Sequence, residues 1–366
     1  MTAPLILSVF STFATGGPQV RFAAIANRFG PRFRHAIVAM DGNRACAERL
    51  DPGLDVTWPA VPIRKGATLA NLLTFRRTLR TLRPDVLVTS NWGSIEWAMA
   101  NAPFPLARPI MRHIHIEDGF GPEERTAQIP RRVWARRLLL GRRTVVLPSR
   151  TLWRIATGVW RLPEARLRYL PNGIDLRRFA AAARPEGEGP AGEGPVIGTV
   201  AALRAEKNLG RLLEAFAALP PALAARLVIV GDGPARPALE AQAAALGIAG
   251  QVRFAGHVAE PAALYASFDI FALSSDTEQM PLSVLEAMAA GLPVAATDVG
   301  DVRAMLDPAN DAYVVPQTAP ALAAALAGLL ADAPRRMAIG AANRAKAERD
   351  YDQEAMFEAY AALFVG

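Results

Sequence analysis

Two glutamates separated by seven residues, Glu278 and Glu286, enclose the segment Gln279-Met280-Pro281-Leu282, shortly after the apolar run Ile270–Leu273. Pro281 suits the first position of a helix, where its fixed φ fits and its missing N–H is not needed. A helix starting there aims free N–H groups and the positive end of its dipole away from the strand, a setting for a phosphate. Glu278 in the loop and Glu286 about one turn inside the helix are placed to accept hydrogen bonds from vicinal hydroxyls, as on a sugar or a ribose. The plainer alternative is structural: Glu278 caps the helix and Glu286 pairs with a basic neighbour.

Other segments carry chemistry of the same kind. Arg204 and Lys207, in Leu203-Arg204-Ala205-Glu206-Lys207-Asn208, follow a strand, where two cations clamp a diphosphate and offset charge on a leaving group. A solvated basic turn is the alternative. Gly231 and Gly233, around Asp232, let backbone approach a ligand or turn tightly, and Asp232 serves equally as a turn former. Gly16 and Gly17 follow the first strand. In Arg112-His113-Ile114-His115-Ile116-Glu117-Asp118-Gly119, alternation puts His113 and His115 on one face, with His115 nearer the strand end. His115 and Asp118 are the candidates there, against the alternative of a satisfied buried histidine.

Strands and helices alternate along the chain, as in a parallel, doubly wound sheet. Strands are expected at Leu5–Phe10, Ala36–Met40, Val86–Thr89, Ile110–Ile114 and Val145–Pro148, with helices at Gln19–Phe29, Leu69–Leu82 and from about Arg150. The Gly-, Pro- and Glu-rich stretch Arg184–Pro195 buries no core and reads as a hinge. After it the alternation restarts, with strands at Val196–Val200, Arg226–Val230, Val252–Ala255, Ile270–Leu273 and Val294–Thr297 and a final helix at Asp352–Phe364. The expected organisation is a first α/β domain over residues 1–185, a linker over 186–195, a second over 196–349, and a last segment, 350–366, that returns to the first domain.

The glutamate segment, continued through Leu285-Glu286-Ala287-Met288-Ala289 and Pro293-Val294-Ala295-Ala296-Thr297-Asp298-Val299-Gly300, resembles the donor site of the family 4 retaining glycosyltransferases. That family's pattern is two glutamates separated by seven residues, then LEAMA-x-G-x-PV-x-AT-x-VG. Arg204, Lys207 and Asn208 resemble its diphosphate site, Gly231-Asp232-Gly233-Pro234 and Gly16-Gly17 its glycine loops, and Pro171-Asn172-Gly173-Ile174-Asp175 a hinge-proximal segment read as structural. The resemblance implies a GT-B fold, two Rossmann-like domains facing across a cleft. It implies that Glu278 contacts the donor sugar, Glu286 the nucleoside ribose and His115 the sugar or phosphate, with Asp118 on the acceptor side. Gln279, Met280, Pro281 and Leu282 line the donor site, as does Gly231. Retention of anomeric configuration is likewise implied. The donor is a nucleotide-diphosphate sugar used as substrate, and no metal or other cofactor is expected. Two departures stand out. Gln279-Met280 replaces the family's Gly-Phe beside the donor sugar, and Asp301-Val302-Arg303-Ala304 follows Gly300 where Gly-x-x-Glu is common.

Composition bounds the rest. The 366 residues hold one cysteine, Cys46, which fits a reducing compartment. No secretory signal is read in the opening residues, and the apolar run Ala319–Ala331 is too short for a membrane span, so a cytoplasmic location is expected. Asp350-Tyr351-Asp352 mimics a metal motif of another glycosyltransferase fold, but it opens the last helix and reads as a cap. Residues 1–190 carry 29 Lys+Arg against 14 Asp+Glu, while the remainder carries 12 against 20. The basic half includes Arg131, Arg132, Arg136, Arg137, Arg142 and Arg143, interleaved with Trp134 and Leu138–Leu140. Two readings stay open for that run. One is contact with an anionic membrane surface, in a peripheral enzyme using a lipid-linked or polysaccharide acceptor; the other is a solvated face. Nucleic-acid binding lacks an aromatic stacking set. A nicotinamide oxidoreductase would need a third glycine after Gly231 and Gly233. A non-catalytic relative or a sugar-nucleotide epimerase would not keep Arg204, Lys207, Glu278 and Glu286 together.

Overall fold

The computed structural model describes residues 3–64, 66–102, 109–124, 127–180, 194–258 and 260–366. They fall into two compact units, one of residues 1–171 with 356–366 and the other of residues 172–355. The boundary at Pro171 precedes the 186–195 stretch expected as a linker, most of which lies outside the described residues.

In the N-terminal unit, β1 (Leu5–Phe10), α1 (Gly17–Phe29), β2 (Arg34–Ala39), β3 (Val56–Thr57), α2 (Thr68–Leu82), β4 (Val86–Ser90) and α3 (Ile95–Asn101) come first. Next are β5 (Arg112–Ile116), α4 (Pro130–Leu140), β6 (Thr144–Leu147), α5 (Arg150–Gly158) and β7 (Leu167–Tyr169). The strands form one parallel sheet in the order β3-β2-β1-β4-β5-β6-β7. β4 is buried along its whole length, as a strand covered by helices on both faces must be. The order reverses direction between β1 and β4, so the loops leaving those strands diverge.

The C-terminal unit repeats the plan. Its elements are α6 (Leu176–Ala180), β8 (Val196–Val200), α7 (Leu209–Ala217), β9 (Arg226–Val230), α8 (Arg236–Ala245), β10 (Val252–Gly256), α9 (Ala262–Ala266) and β11 (Ile270–Leu273). Then follow α10 (Leu282–Ala289), β12 (Val294–Thr297), α11 (Val302–Met305), β13 (Val314–Val315), α12 (Ala319–Ala331) and α13 (Ala333–Asp350). The parallel order is β10-β9-β8-β11-β12-β13, with the reversal between β8 and β11. The last helix, α14 (Gln353–Val365), puts Met356, Phe357, Tyr360 and Phe364 into the core of the N-terminal unit with Ile6, Val88 and Ile116. Asp352 caps it, Oδ1 accepting from the Glu354 amide at 3.1 Å, while Asp350 pairs with Lys346 and Arg349. The capping reading therefore holds for Asp352, whereas Asp350 closes α13 as an ion-pair partner.

At two strands whose limits differ from expectation, a named contact accompanies the shift. β5 begins at Arg112 because Asn101 claims the backbone of Met111, its side chain bonding both the N–H (2.8 Å) and the C=O (2.9 Å). β2 begins at Arg34, whose partner is Leu5 at the start of β1. The strands β3, β7 and β13 were not anticipated; all three lie at sheet edges and are two or three residues long, too short to show a period.

One core residue makes the fold sensitive to pH. His35 on β2 is 1% exposed, meets Phe22 edge-on, and neither ring nitrogen has a hydrogen-bond partner. Burial lowers its pKa from 6.5 to about 4, against a smaller opposing pull from Asp55. A folded-state pKa below the unfolded value means protons bind the unfolded chain first. Stability is thus full above pH 6.5 and falls between pH 6.5 and 4. Denaturant titrations of wild type and His35→Leu should show their stability difference changing by about 3 kcal/mol between pH 7.5 and 4, the wild type losing more.

Candidate active site

Ligands of doubly wound sheets bind outside the carboxyl ends of the strands, where the order reverses. In the C-terminal unit those ends belong to β8 and β11, and the loops leaving them carry Arg204 with Lys207 and Ser274 through Met280. The two loops are knitted together. Lys207 Nζ lies 2.5 Å from Glu278 Oε1, which also accepts from Ser275 Oγ at 2.7 Å. Ser274 Oγ donates to the Lys207 carbonyl, and the Asp276 amide to that of Glu206. Arg211 on α7 reaches back to Asp276 Oδ1 (2.7 Å) and the Ser274 carbonyl (2.7 Å). Glu278 is thus held by a cation and a hydroxyl, and it does not cap α10. The N-cap there is Pro281, no side chain bonds the helix end, and α10 begins at Leu282, one residue later than expected.

Two sets of glycines permit this closeness. Gly231 and Gly233 have φ of +129° and +157°, and a Cβ on either would overlap the carbonyl of Ala201 or Leu203, in the loop leading to Arg204. The glycines therefore admit the backbone of the Arg204 loop. On the other side Gly300, at φ +55°, has no room for a Cβ beside the Glu278 carbonyl, and the Asp301 amide donates to the Gln279 carbonyl at 2.9 Å.

Glu286 is half-buried on α10, and its Oε2 accepts from the Tyr265 hydroxyl at 2.7 Å. This partner, a phenol, was not anticipated. Arg204 is exposed at the start of the short turn Ala205–Lys207. Met280 corrects an expectation. Its side chain is 6% exposed within the core of the unit, and its sulfur and carbonyl receive the backbone and side-chain N–H groups of Asn172. Of the two replaced positions, only Gln279 keeps a half-exposed side chain; Pro281 is buried and Leu282 packs on the core.

The N-terminal unit holds the other candidates. Gly16 is the N-cap of α1 and Gly17 its first residue, with no side chain capping the helix. His115 also departs from expectation. Its ring is fully buried, Nδ1 lying 2.8 Å from Thr89 Oγ1 and Nε2 3.4 Å from Glu117 Oε2, so neither nitrogen is offered to a ligand. The same Thr89 hydroxyl meets His113 Nε2 at 2.8 Å, and burial, then His115 and Arg143, drives the His113 pKa well below 6.5. Asp118, next along, is gripped by both nitrogens of Arg21 at 2.7 and 3.0 Å, and its backbone N–H donates to Asn91 Oδ1 at 2.7 Å. Asn91 itself sits at φ +56°, a strained setting at the end of β4.

Beneath this loop Arg136 is fully buried, paired with Glu117 and Glu124 and stacked among Trp92, Phe120 and Trp160. Burial raises the Glu124 carboxyl, but Arg136 and Arg132 outweigh it and bring the pKa below 4.5. Arg132 also pairs with Glu123, and Arg143 is buried. Half of the arginine run therefore faces inward. Among the described residues, no three His, Cys, Asp or Glu side chains converge as metal ligands would, and no helix is long and apolar enough to cross a membrane.

Comparison with known proteins bears on both units. Residues 15–178 match the family model described as Glycosyltransferase Family 4, and residues 183–346 that described as Glycosyl transferases group 1. A GDP-mannose-dependent alpha-mannosyltransferase of Mycobacterium tuberculosis is 32% identical over 283 residues, 74% of this chain and 71% of the relative. A 2-deoxystreptamine N-acetyl-D-glucosaminyltransferase of Streptomyces fradiae is 30% identical over 83% of this chain and 80% of its own length. Among solved structures, Anabaena HepE in complex with UDP-glucose superposes with a TM-score of 0.81 at 19% identity, covering 99% of each chain. The chain belongs to the family 4 glycosyltransferases. Its fold is GT-B, with two parallel-sheet Rossmann-like domains.

In this glycosyltransferase the structure brings Lys207 and Glu278 into contact, sets Arg204 at the mouth of the same loop, and gives Glu286 a buried phenolic partner. It leaves Met280 and His115 in the interior. Sequence reasoning missed Arg21, Asn91 and Tyr265, and the contacts that Arg136 and Ser275 make. Arg21 left a signal, because it precedes Ile25 and Phe29 by four and eight residues on the buried stripe of α1, and a cation there needs a carboxylate. Tyr265 left none, since its distance in sequence from Glu286 follows no helical or strand period. Arg136→Met should destabilise the enzyme by about 3–5 kcal/mol by stranding Glu117 and Glu124, measured as the shift of the denaturation midpoint against wild type.

Proposed function

We propose that the enzyme moves a sugar from a nucleotide-diphosphate donor to an acceptor hydroxyl with retention of configuration, in envelope or extracellular polysaccharide or glycolipid synthesis. The observation that carries the donor reading is the Lys207–Glu278 contact at the reversal of the C-terminal sheet. An ammonium and a carboxylate side by side there offer both of the charges a sugar diphosphate calls for. Lys207 and Arg204 offset the charge of the departing diphosphate. Glu278, fixed by Ser275 and Lys207, accepts hydrogen bonds from the donor sugar, and Glu286 from the ribose. Gln279 adjoins the sugar, with Gly231 and Gly233 closing the Arg204 loop. In the N-terminal unit, Gly16 and Gly17 open α1 toward phosphate, while Asp118, aligned by Arg21, orients the acceptor hydroxyl. His115 acts from beneath, holding the strand end that bears Asp118. No metal is needed in this scheme, because the cations and helix ends supply the positive charge.

The mycobacterial relative is by its name GDP-mannose-dependent, and the Anabaena structure contains UDP-glucose. A thermal-shift panel of UDP-, GDP- and ADP-sugars therefore tests the reading: at least one should raise the melting temperature of the wild type, and Glu286→Ala should weaken that donor's binding by tenfold or more. A panel without any stabilising donor overturns the proposal.

The acceptor side points to a membrane surface. Trp134 and Leu138 on α4 are 67% and 56% exposed, beside exposed Arg131, Arg137 and Arg142. On α2, Leu69 and Leu73 are exposed with Arg77 and Arg80, and α3 packs against both helices. Apolar side chains ringed by arginine suit the headgroup layer of an anionic bilayer, where each cation adds about 1 kcal/mol. The enzyme should co-sediment with phosphatidylglycerol vesicles and much less with phosphatidylcholine vesicles, and Trp134→Ala with Arg137→Gln should release it. Binding indifferent to lipid charge counts against a membrane-bound acceptor.

A further inference from the structure

Glu286 works only if its carboxylate stands at a fixed angle, and a glutamate on a helix surface has three rotatable bonds to lose. One restraint comes from the aromatic cluster behind it. Tyr265 on α9 is fully buried, stacked on Phe271 with ring centroids 5.7 Å apart, and edge-on to Phe179 at 5.6 Å and Phe268 at 5.7 Å. Three aromatic neighbours leave its ring one orientation. In that orientation the hydroxyl lies 2.7 Å from Glu286 Oε2 and 3.2 Å from the Ser283 carbonyl, one turn earlier on α10. A carboxylate is the stronger acceptor at the shorter distance, so the proton is directed to Glu286. Burial, and then the Glu286 charge, raises the phenol pKa well above 10, so the hydroxyl remains a donor throughout the working range.

We infer that Tyr265 is a positioning residue for nucleoside recognition: by fixing one oxygen of Glu286 it sets the carboxylate to receive the ribose hydroxyls, and so contributes to selection of ribonucleotides. The inference rests on the assignment of Glu286 to the ribose, and it adds a residue outside every motif that suggested that assignment. It also separates two functions of the aromatic cluster. Phe179, Phe268 and Phe271 supply packing alone, whereas Tyr265 turns that packing into a direction for the carboxylate.

Calorimetric binding of UDP and GDP, and of their 2′,3′-dideoxy counterparts, tests this on full-length protein. Tyr265→Phe keeps the ring and removes the donor. It should weaken the preferred ribonucleotide roughly tenfold, the scale of a hydrogen bond to a charged group, and leave the dideoxynucleotide within about twofold. In a Glu286→Ala background the same substitution should change neither affinity. Equal loss for both nucleotides, or loss for neither, overturns the inference while leaving the donor site standing. If wild type binds none of UDP, GDP and ADP, the ribose assignment and this inference fall together; if it takes only ADP, the same comparison is made with ADP and its dideoxy counterpart. Should Tyr265→Phe fold poorly, Phe268→Leu provides the control for lost packing. A packing defect that lowers ribonucleotide affinity selectively, as Tyr265→Phe does, would also overturn it.

Discussion

A parallel sheet in which consecutive connections run to opposite faces has one place where neighbouring loops must part, and in the C-terminal unit the Lys207–Glu278 contact lies there. Between β8 and β11 the diverging loops would leave backbone and charge exposed if nothing bound them. Lys207 and Glu278 bind them, supported by serine hydroxyls and by Arg211 from behind. The pairing is a compromise. It stabilises the two loops without substrate, yet each partner retains the charge that an incoming sugar diphosphate would use. Gly231, Gly233 and Gly300 are the geometric cost, because any side chain at those positions would drive the loops apart.

The N-terminal unit meets its constraint differently, through buried cations. Arg21 and Arg136 both lie in the interior, each matched to carboxylates and to aromatic faces. A buried guanidinium tolerates few arrangements, because losing either partner leaves a charge in a poor solvent. Such pairs add little net stability, and here they tie Glu117 and Glu124 to α4. Asp118, between them, is held from one side by Arg21 and from its backbone by Asn91.

Much of this was legible in the amino-acid order. Strands such as Leu5–Phe10 and Ile270–Leu273 announced themselves through composition, and the glutamate pair with its downstream glycine marked the family. Edge strands escaped notice because two or three residues carry no period. Met280 and His115 have interior side chains for a common reason. Position in a loop or at a strand end fixes the backbone, whereas the direction of a side chain depends on a distant partner, Asn172 in one case and Thr89 with Glu117 in the other. The arginine run was read as a surface feature, yet Arg132, Arg136 and Arg143 turn inward, and only knowledge of Glu117, Glu123 and Glu124 as partners would have set Arg132 and Arg136 apart.

The last helix has a consequence for how the chain is made. Met356, Phe357, Tyr360 and Phe364 complete the core around Ile6, Val88 and Ile116, although the whole of residues 172–355 intervenes. As the polypeptide leaves the ribosome, the first sheet can form long before the helix that covers it is synthesised. Throughout that interval an apolar face on β1, β4 and β5 lacks its cover, and closing so long a loop adds further delay. The N-terminal half therefore keeps that apolar face open during translation, and its core closes only after the C-terminal half has been synthesised.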